Sequence, residues 1–235
     1  MLAVLYDIHG NLPALEAVLV DAEGAGARRY LLGGDYALFG PWPRETLDRL
    51  DGLPDAEWIR GNGERWTADP ADAPDTDLVQ GAVAVCAEAL GEQDVRRLAG
   101  LPGHAVIDGV RYCHASPVSD VRSFFPEPAD DEPELLAGVT EPRLVFGHTH
   151  LAFRRHATTP EGRDIELLNP GSIGMPFDGD PRAAYALVSE DGGELEHRRV
   201  DYDSAAAAAA VRERFDGDWP ETVARRIESG LFDVE

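Results

Sequence analysis

The sequence predicts an α/β fold in which two β-sheets pack face to face with helices outside. Three observations carry that prediction. The chain begins with a continuous apolar run over residues 1–6 that ends on the carboxylate of Asp7; a short run without polar alternation is what a strand covered on both faces requires. The unit strand, polar loop residue, helix, strand then recurs, the pattern of a parallel βαβ series whose functional loops lie at the carboxyl ends of its strands. From residue 105 onward, helical spacing gives way to short strands separated by turn residues, which predicts largely antiparallel sheet.

The elements follow in order. After Asp7, Asn11 is placed to cap a helix with Pro13 in its first turn. Leu12, Leu15, Val18 and Leu19 recur at helical spacing until Gly24 and Gly26 stop it. A second strand over 29–32 runs into Gly33-Gly34-Asp35, a helix follows Pro43 through Leu50, and a third strand over 56–59 ends at Gly61-Asn62. The second half predicts strands at 105–107, 110–114, 144–146, 151–156, 165–168, 183–188 and 195–200, with Asp108-Gly109 and Asp191-Gly192 as hairpin signals. Residues 67–77, acidic and proline-rich, predict a solvated loop. Residues 116–134, with four prolines and the adjacent Phe124 and Phe125, predict a covering lid whose aromatics need burial. The tail reads as an Ala-rich helix from Ser204, a break at 217–220 and a second helix through Arg226. No internal repeat or linker interrupts the chain, so a single domain is expected, with residues 1–203 as its body and 204–235 as a helical extension.

The chain has 235 residues, with 44 acidic against 21 basic and a formal net charge of −23. A phosphate backbone is gripped by clustered cations, so this balance argues against a nucleic-acid partner. Every basic residue is Arg, which excludes chemistry built on a Lys nucleophile or Schiff base. No stretch approaches the roughly 18–20 uncharged apolar residues of a membrane span. The first apolar run meets a carboxylate too early for a secretory segment. A cytoplasmic protein with no membrane partner is therefore expected. Cys86 and Cys113 both sit in apolar contexts that read as core packing, with neither a disulfide framework nor a thiolate metal site indicated.

The polar residues at the strand ends are of a particular kind. They are Asp7-x-His9, Asp35 after two glycines, Asn62 after Gly61, His114, and His148-x-His150 after Gly147. Four of the seven histidines fall in this set, whereas His104, His156 and His197 do not. Each element alone is commonplace. The ordered set offers carboxylate and amide oxygens together with imidazole nitrogens, which is the donor mixture of a two-metal centre.

With those residues in place, the chain resembles the calcineurin-like metallophosphoesterase superfamily across about its first 190 residues, nearest to small prokaryotic phosphodiesterases and phosphatases. The segments that carry the resemblance are Asp7-Ile8-His9-Gly10-Asn11, Gly34-Asp35, Gly61-Asn62-Gly63-Glu64, Cys113-His114, Gly147-His148-Thr149-His150 and Asn169-Pro170-Gly171-Ser172. It implies a four-layer αββα sandwich of two mixed sheets flanked by helices. It implies one metal held by Asp7, His9, Asp35 and His150 and a second by Asp35, Asn62, His114 and His148. Asp35 bridges the two, and Asp35, Asn62 and His148 are named as catalytic. The cofactors implied are two divalent ions, manganese first, with iron, nickel, cobalt or zinc fitting the same donors. A bridging hydroxide would attack a small anionic phosphate ester in line.

One position departs from the pattern. Where many members carry a His after the Gly-Asn pair, this chain has Gly63, so general-acid help worth about 10²–10⁴ in rate is missing there. That favours a phosphodiesterase. A nucleotide or dinucleoside-polyphosphate hydrolase, a phosphomonoesterase and, further off, a non-catalytic scaffold are the alternatives. Asn11, Arg65 and Arg182 are candidate substrate contacts, with helix capping an equal reading for Asn11. Glu64 is expected to orient a histidine ligand from behind, and Asn169 to Ser172 to form a supporting turn. Oligomeric state is left open.

Overall fold

The chain is described by a computed structural model covering residues 1–189 and 193–234. Among the described residues there are ten strands: β1 (Leu2–Leu5), β2 (Arg29–Leu32), β3 (Ala56–Trp58), β4 (His104–Ile107), β5 (Val110–Cys113), β6 (Arg143–Val145), β7 (Phe153–Thr158), β8 (Asp164–Asn169), β9 (Ala183–Val188) and β10 (Leu195–Val200). The helices are α1 (Leu12–Gly24), α2 (Pro43–Asp51), α3 (Asn62–Ala68), α4 (Asp77–Ala99), the short α5 (Glu132–Leu135), α6 (Ser204–Arg214) and α7 (Trp219–Ser229). One sheet runs β10-β9-β1-β2-β3 and the other β4-β5-β6-β8-β7.

The apolar run at the start is buried on both faces. Ala3 and Leu5 join the core beneath α1 and α2. Leu2, Val4 and Tyr6 meet Val110, Tyr112, Val145 and Leu168 of the other sheet. This inter-sheet layer, with the helices on the far side of the first sheet, is the expected sandwich. The Tyr6 hydroxyl crosses between the sheets to donate to the Cys113 carbonyl at 3.0 Å. Residues on the outer face of the second sheet are covered by α5 and its neighbours, with Phe124, Leu135, Leu136 and Val139 packed on Leu144 and Phe146. Segment 116–134 is mostly irregular, as expected. Phe124 is buried, but Phe125 is 47% exposed.

Three sequence expectations need correction or completion. The second half is largely antiparallel, as expected, but not throughout: β5, β6 and β8 run parallel, while β4 and β7 close that sheet antiparallel at its edges and β9 and β10 pair antiparallel. The last two strands cross to the first sheet, where β9 pairs antiparallel with β1. Turn residues mark where a strand stops, and the long connection 114–142 lets the chain return to the same end before β6. The 23-residue helix α4 has no counterpart among the elements the sequence predicts, because Gly81 and Gly91 interrupt its apolar rhythm; Gly91 kinks it at φ 74°. The Asp191-Gly192 hairpin signal lies outside the described residues.

The tail packs back on the body. Ala207, Ala208 and Val211 of α6 meet Val223, Ala224 and Ile227 of α7, and both enclose Met175. This brings the C-terminal residues to the edge where the strand-end loops converge.

Candidate metal centre

Each predicted ligand follows a strand. Asp7 and His9 come after β1, Asp35 after β2, Asn62 opens α3 after β3, His114 follows β5, and His148 and His150 follow β6. Asp7, His9, Asp35, His148 and His150 all have positive φ, between 51° and 67°. L-residues rarely adopt that conformation, and it persists only where the surroundings over-determine it. The backbone turns sharply at these points so that the side chains point back over the sheet edge.

Three of the four imidazoles are oriented the same way. Nδ1 of His9 meets the Leu38 carbonyl at 3.0 Å, Nδ1 of His114 the Gly33 carbonyl at 2.9 Å and Nδ1 of His150 the Met175 carbonyl at 2.6 Å. A carbonyl only accepts, so in each ring Nδ1 carries the proton and Nε2 presents a bare lone pair to the centre. His148 is held by the Val121 backbone and turns Nδ1 inward, 2.8 Å from Asn62 Oδ1, which is also 2.9 Å from His114 Nε2. Turned over, the Asn62 amide would donate to both nitrogens and to the Asp120 carbonyl. With its oxygen inward it joins them as a donor to a cation, the orientation that suits a filled centre.

The carboxylates complete the arrangement. Asp7 Oδ2 accepts from the His148 N–H at 2.9 Å, whereas Oδ1 is buried with no hydrogen-bond partner, 3.7 Å from His150 Nε2 and 3.9 Å from His114 Nε2. Asp35 reaches both sides, with Oδ1 3.5 Å from His114 Nε2 and Oδ2 3.9 Å from His9 Nε2. Asp7, His9 and His150 form one group with metal-binding spacing, and Asp7, Asp35 and His114 another.

Burial sets the protonation states. It pushes His9 and His148 down to about 3 and lowers His114 and His150 as well, so all four rings are neutral, the form that binds metal. Burial also raises Asp35 to about 7. It holds Asp7 well above the carboxylate range, with the nearby Asp35 charge adding to the effect. Two buried carboxylates among neutral imidazoles form a site short of positive charge, and an unpartnered buried carboxylate oxygen is costly. These residues fit divalent cations in donor chemistry and in geometry.

A model of the calcineurin-like phosphoesterase superfamily domain matches residues 1–193. The chain belongs to the calcineurin-like phosphoesterase superfamily. Membership implies a metal-dependent hydrolase of phosphate esters. Among solved structures, a metallophosphoesterase from Sphaerobacter thermophilus is similar at 27% identity and a TM-score of 0.79, covering 98% of each chain. A hypothetical protein from Pyrococcus horikoshii shares the fold at 23% identity and a TM-score of 0.79, covering 98% of this chain and 99% of that one. An uncharacterised protein of Methanocaldococcus jannaschii is 29% identical over 226 residues, covering 86% of this chain and 88% of that protein.

In this superfamily member, the surrounding residues hold the ligand loops rather than the ligands alone. Glu64 was expected to orient a histidine; its carboxylate instead accepts from the backbone N–H groups of Asp35, Tyr36 and Gly61 at 2.7–2.9 Å. It thereby ties the Asp35 loop to the start of α3. Asn169 donates to the Gly147 carbonyl at 3.0 Å and to Thr149 Oγ1 at 2.9 Å. Ser172 donates to the Asp7 carbonyl at 2.7 Å and accepts from the Met175 N–H at 2.9 Å. The 169–172 turn thus fastens two ligand loops together. Gly147 is required by approach, since a Cβ there would lie 2.6 Å from Asp7 Oδ2. At Gly63 the N–H donates to Asp35 Oδ1 at 2.7 Å, and a Cβ would stand 2.9 Å from the same oxygen, so a side chain there requires Asp35 to shift.

The three candidate substrate contacts are otherwise engaged. Asn11 is fully buried, caps α1 through the Ala14 N–H, and donates to the Gly174 carbonyl at 2.9 Å. Arg65 forms a bidentate pair with Asp120 at 2.7 and 2.8 Å and also reaches Asp72. Arg182 is exposed and paired with Asp180. Residues that sequence reasoning missed stand at the centre instead: a cleft of about 460 Å³ runs up to His9, Asp35, Asn62, His148 and His150, walled by Phe39, Trp66, Phe177, Arg226 and Phe232. No motif flags these five. They are ordinary core or tail residues until the tail folds back.

Proposed function

We propose that the protein is a phosphodiesterase that hydrolyses small phosphate esters with the help of two divalent cations. The observation that carries this reading is Asp7 Oδ1, buried without a partner and facing bare imidazole nitrogens from two loops. His9 and His150 with Asp7 would hold one ion, and His114, His148 and Asn62 the other, with Asp35 reaching both. Bound there, two cations supply acidification of water and neutralisation of charge on the phosphoryl oxygens. In the hydrolysis a bond forms from water oxygen to phosphorus and the bond from phosphorus to the leaving oxygen breaks. The proton must reach that oxygen from solvent, because Gly63 offers no donor.

Two observations support a diester over a monoester. Leaving groups that need little protonation suit Gly63. A second cleft, of about 610 Å³, meets the first along His148, Phe177 and Phe232, giving room on either side of His148 for the two ester arms of a diester. Assay of manganese-supplied protein on bis(p-nitrophenyl) phosphate and p-nitrophenyl phosphate tests the proposal. Faster turnover of the diester supports it; hydrolysis of the monoester alone would replace it with a phosphomonoesterase. No hydrolysis with any divalent metal would leave a scaffold.

A further inference from the structure

Resting on that reading, we infer that the C-terminal segment around Arg226 and Phe232 selects the substrate, by stacking on a planar aromatic group carried by the phosphate ester. The argument begins at a ligand. His150 stacks on Phe177 with ring centroids 4.4 Å apart and planes 17° apart. Phe177 meets Phe232 edge-on at 5.2 Å. The Arg226 guanidinium lies over the Phe232 ring at 4.3 Å, 5.7 Å from that of Phe177, and its Nε donates to the Phe232 carbonyl at 3.0 Å. A continuous column of flat groups therefore runs from the metal centre to the tail.

Phe39 and Trp66 also line this cleft. A space of about 460 Å³ with aromatic walls and ligands at its floor is of the size and character that small-molecule sites have. Phe232 remains 52% exposed, next to Leu231 at 46%. Large apolar side chains grouped at a cleft mouth mark a contact surface. Among the described residues lining this cleft, Arg226 carries the permanent positive charge. In a chain of net charge −23, it places a cation beside an incoming phosphate and stacks well against an aromatic plane. An aryl group and a nucleobase share this chemistry.

Three diesters with one common leaving group separate these sources: methyl, phenyl and thymidine-5′ p-nitrophenyl phosphate. Stacking of one base-sized ring predicts a tenfold or larger advantage in kcat/KM for the aromatic esters over the methyl ester, carried by KM. Advantage for both phenyl and thymidine esters supports recognition of any planar ring, and advantage for thymidine alone supports a nucleobase. Phe232→Ala and Arg226→Gln should each bring the aromatic-to-methyl ratio towards one by raising KM on the aromatic esters. Calorimetric titration of manganese-loaded protein with phenyl phosphate against methyl phosphate should show the same gap and the same loss. Equal kcat/KM across the three esters, or an aromatic advantage untouched by both variants, overturns the inference while the phosphoesterase reading stands. No hydrolysis of any ester overturns both.

Discussion

His9 Nε2 and His150 Nε2 stand 3.0 Å apart, while Nδ1 of each ring is bound to a backbone carbonyl. Two proton-free lone pairs at that distance repel. The separation is that of two neighbouring ligand atoms on one ion with metal–nitrogen bonds of about 2.0–2.1 Å. The polypeptide holds this pair together by positive-φ backbone at both residues and by the carbonyls behind them, so the fold has accepted a local cost that a cation removes.

Replacing His150 with Ala should therefore weaken divalent-ion binding by at least the 10–100-fold that loss of a supporting partner alone brings. Titration of the variant with manganese checks this. Unchanged affinity would remove His150 from the ligand set.

Ion binding should strengthen as pH rises through about 7, and Asp7, also held well above the carboxylate range by burial, adds a further proton for an ion to displace. Burial raises Asp35 to about 7, above its ordinary range, so the metal-free protein holds a proton there in acid that an ion must displace. Below pH 7 the apparent affinity then falls about tenfold per pH unit for each displaced proton. His9 and His148, lowered to about 3, do not compete in this range. Calorimetry in two buffers of different ionisation enthalpy should find protons released on binding at pH 6; affinity constant from pH 5.5 to 7.5 would contradict the assignment.

With no side chain at Gly63, turnover should depend steeply on the leaving group. Alkyl diesters should react more slowly than p-nitrophenyl diesters by on the order of 10² or more, the help a positioned acid usually gives. A series of aryl diesters of graded phenol acidity measures the slope, and a flat series would reveal another proton donor.

Ser172→Ala removes the hydroxyl that joins the Asp7 carbonyl to the Met175 N–H. It leaves the buried Met175 N–H unpaired, while the Asp7 carbonyl keeps the Gly174 N–H at 3.0 Å, at a cost of about 1–3 kcal/mol, or roughly 2–12 °C in Tm for a chain of this size. Thermal unfolding of the metal-free variant reads this directly, and an unchanged Tm would show that the 169–172 turn does not anchor the centre.

The centre was legible in the sequence because its chemistry depends on rare residue types at strand ends. Asp7, His9, Asp35, Asn62, His114, His148 and His150 stand apart from packing residues whatever the sheet topology. The βαβ half was legible for a similar reason, since Val4 and Leu5 can only be buried on both sides. What sequence left open is set by contacts between distant segments. Strand direction after β5 depends on the path of the 114–142 connection. The partners of Glu64 depend on the approach of α3 to the Asp35 loop, and α4 lacks a strong apolar stripe. Phe177, Arg226 and Phe232 acquire a role only when α7 lays the tail beside His150.

The central claim is a centre built for two ions, and the stoichiometry of tightly bound manganese measures it most directly. Chelator-stripped protein, reloaded, freed of excess metal and quantified by elemental analysis, should hold two ions per chain. One ion or none would contradict the account.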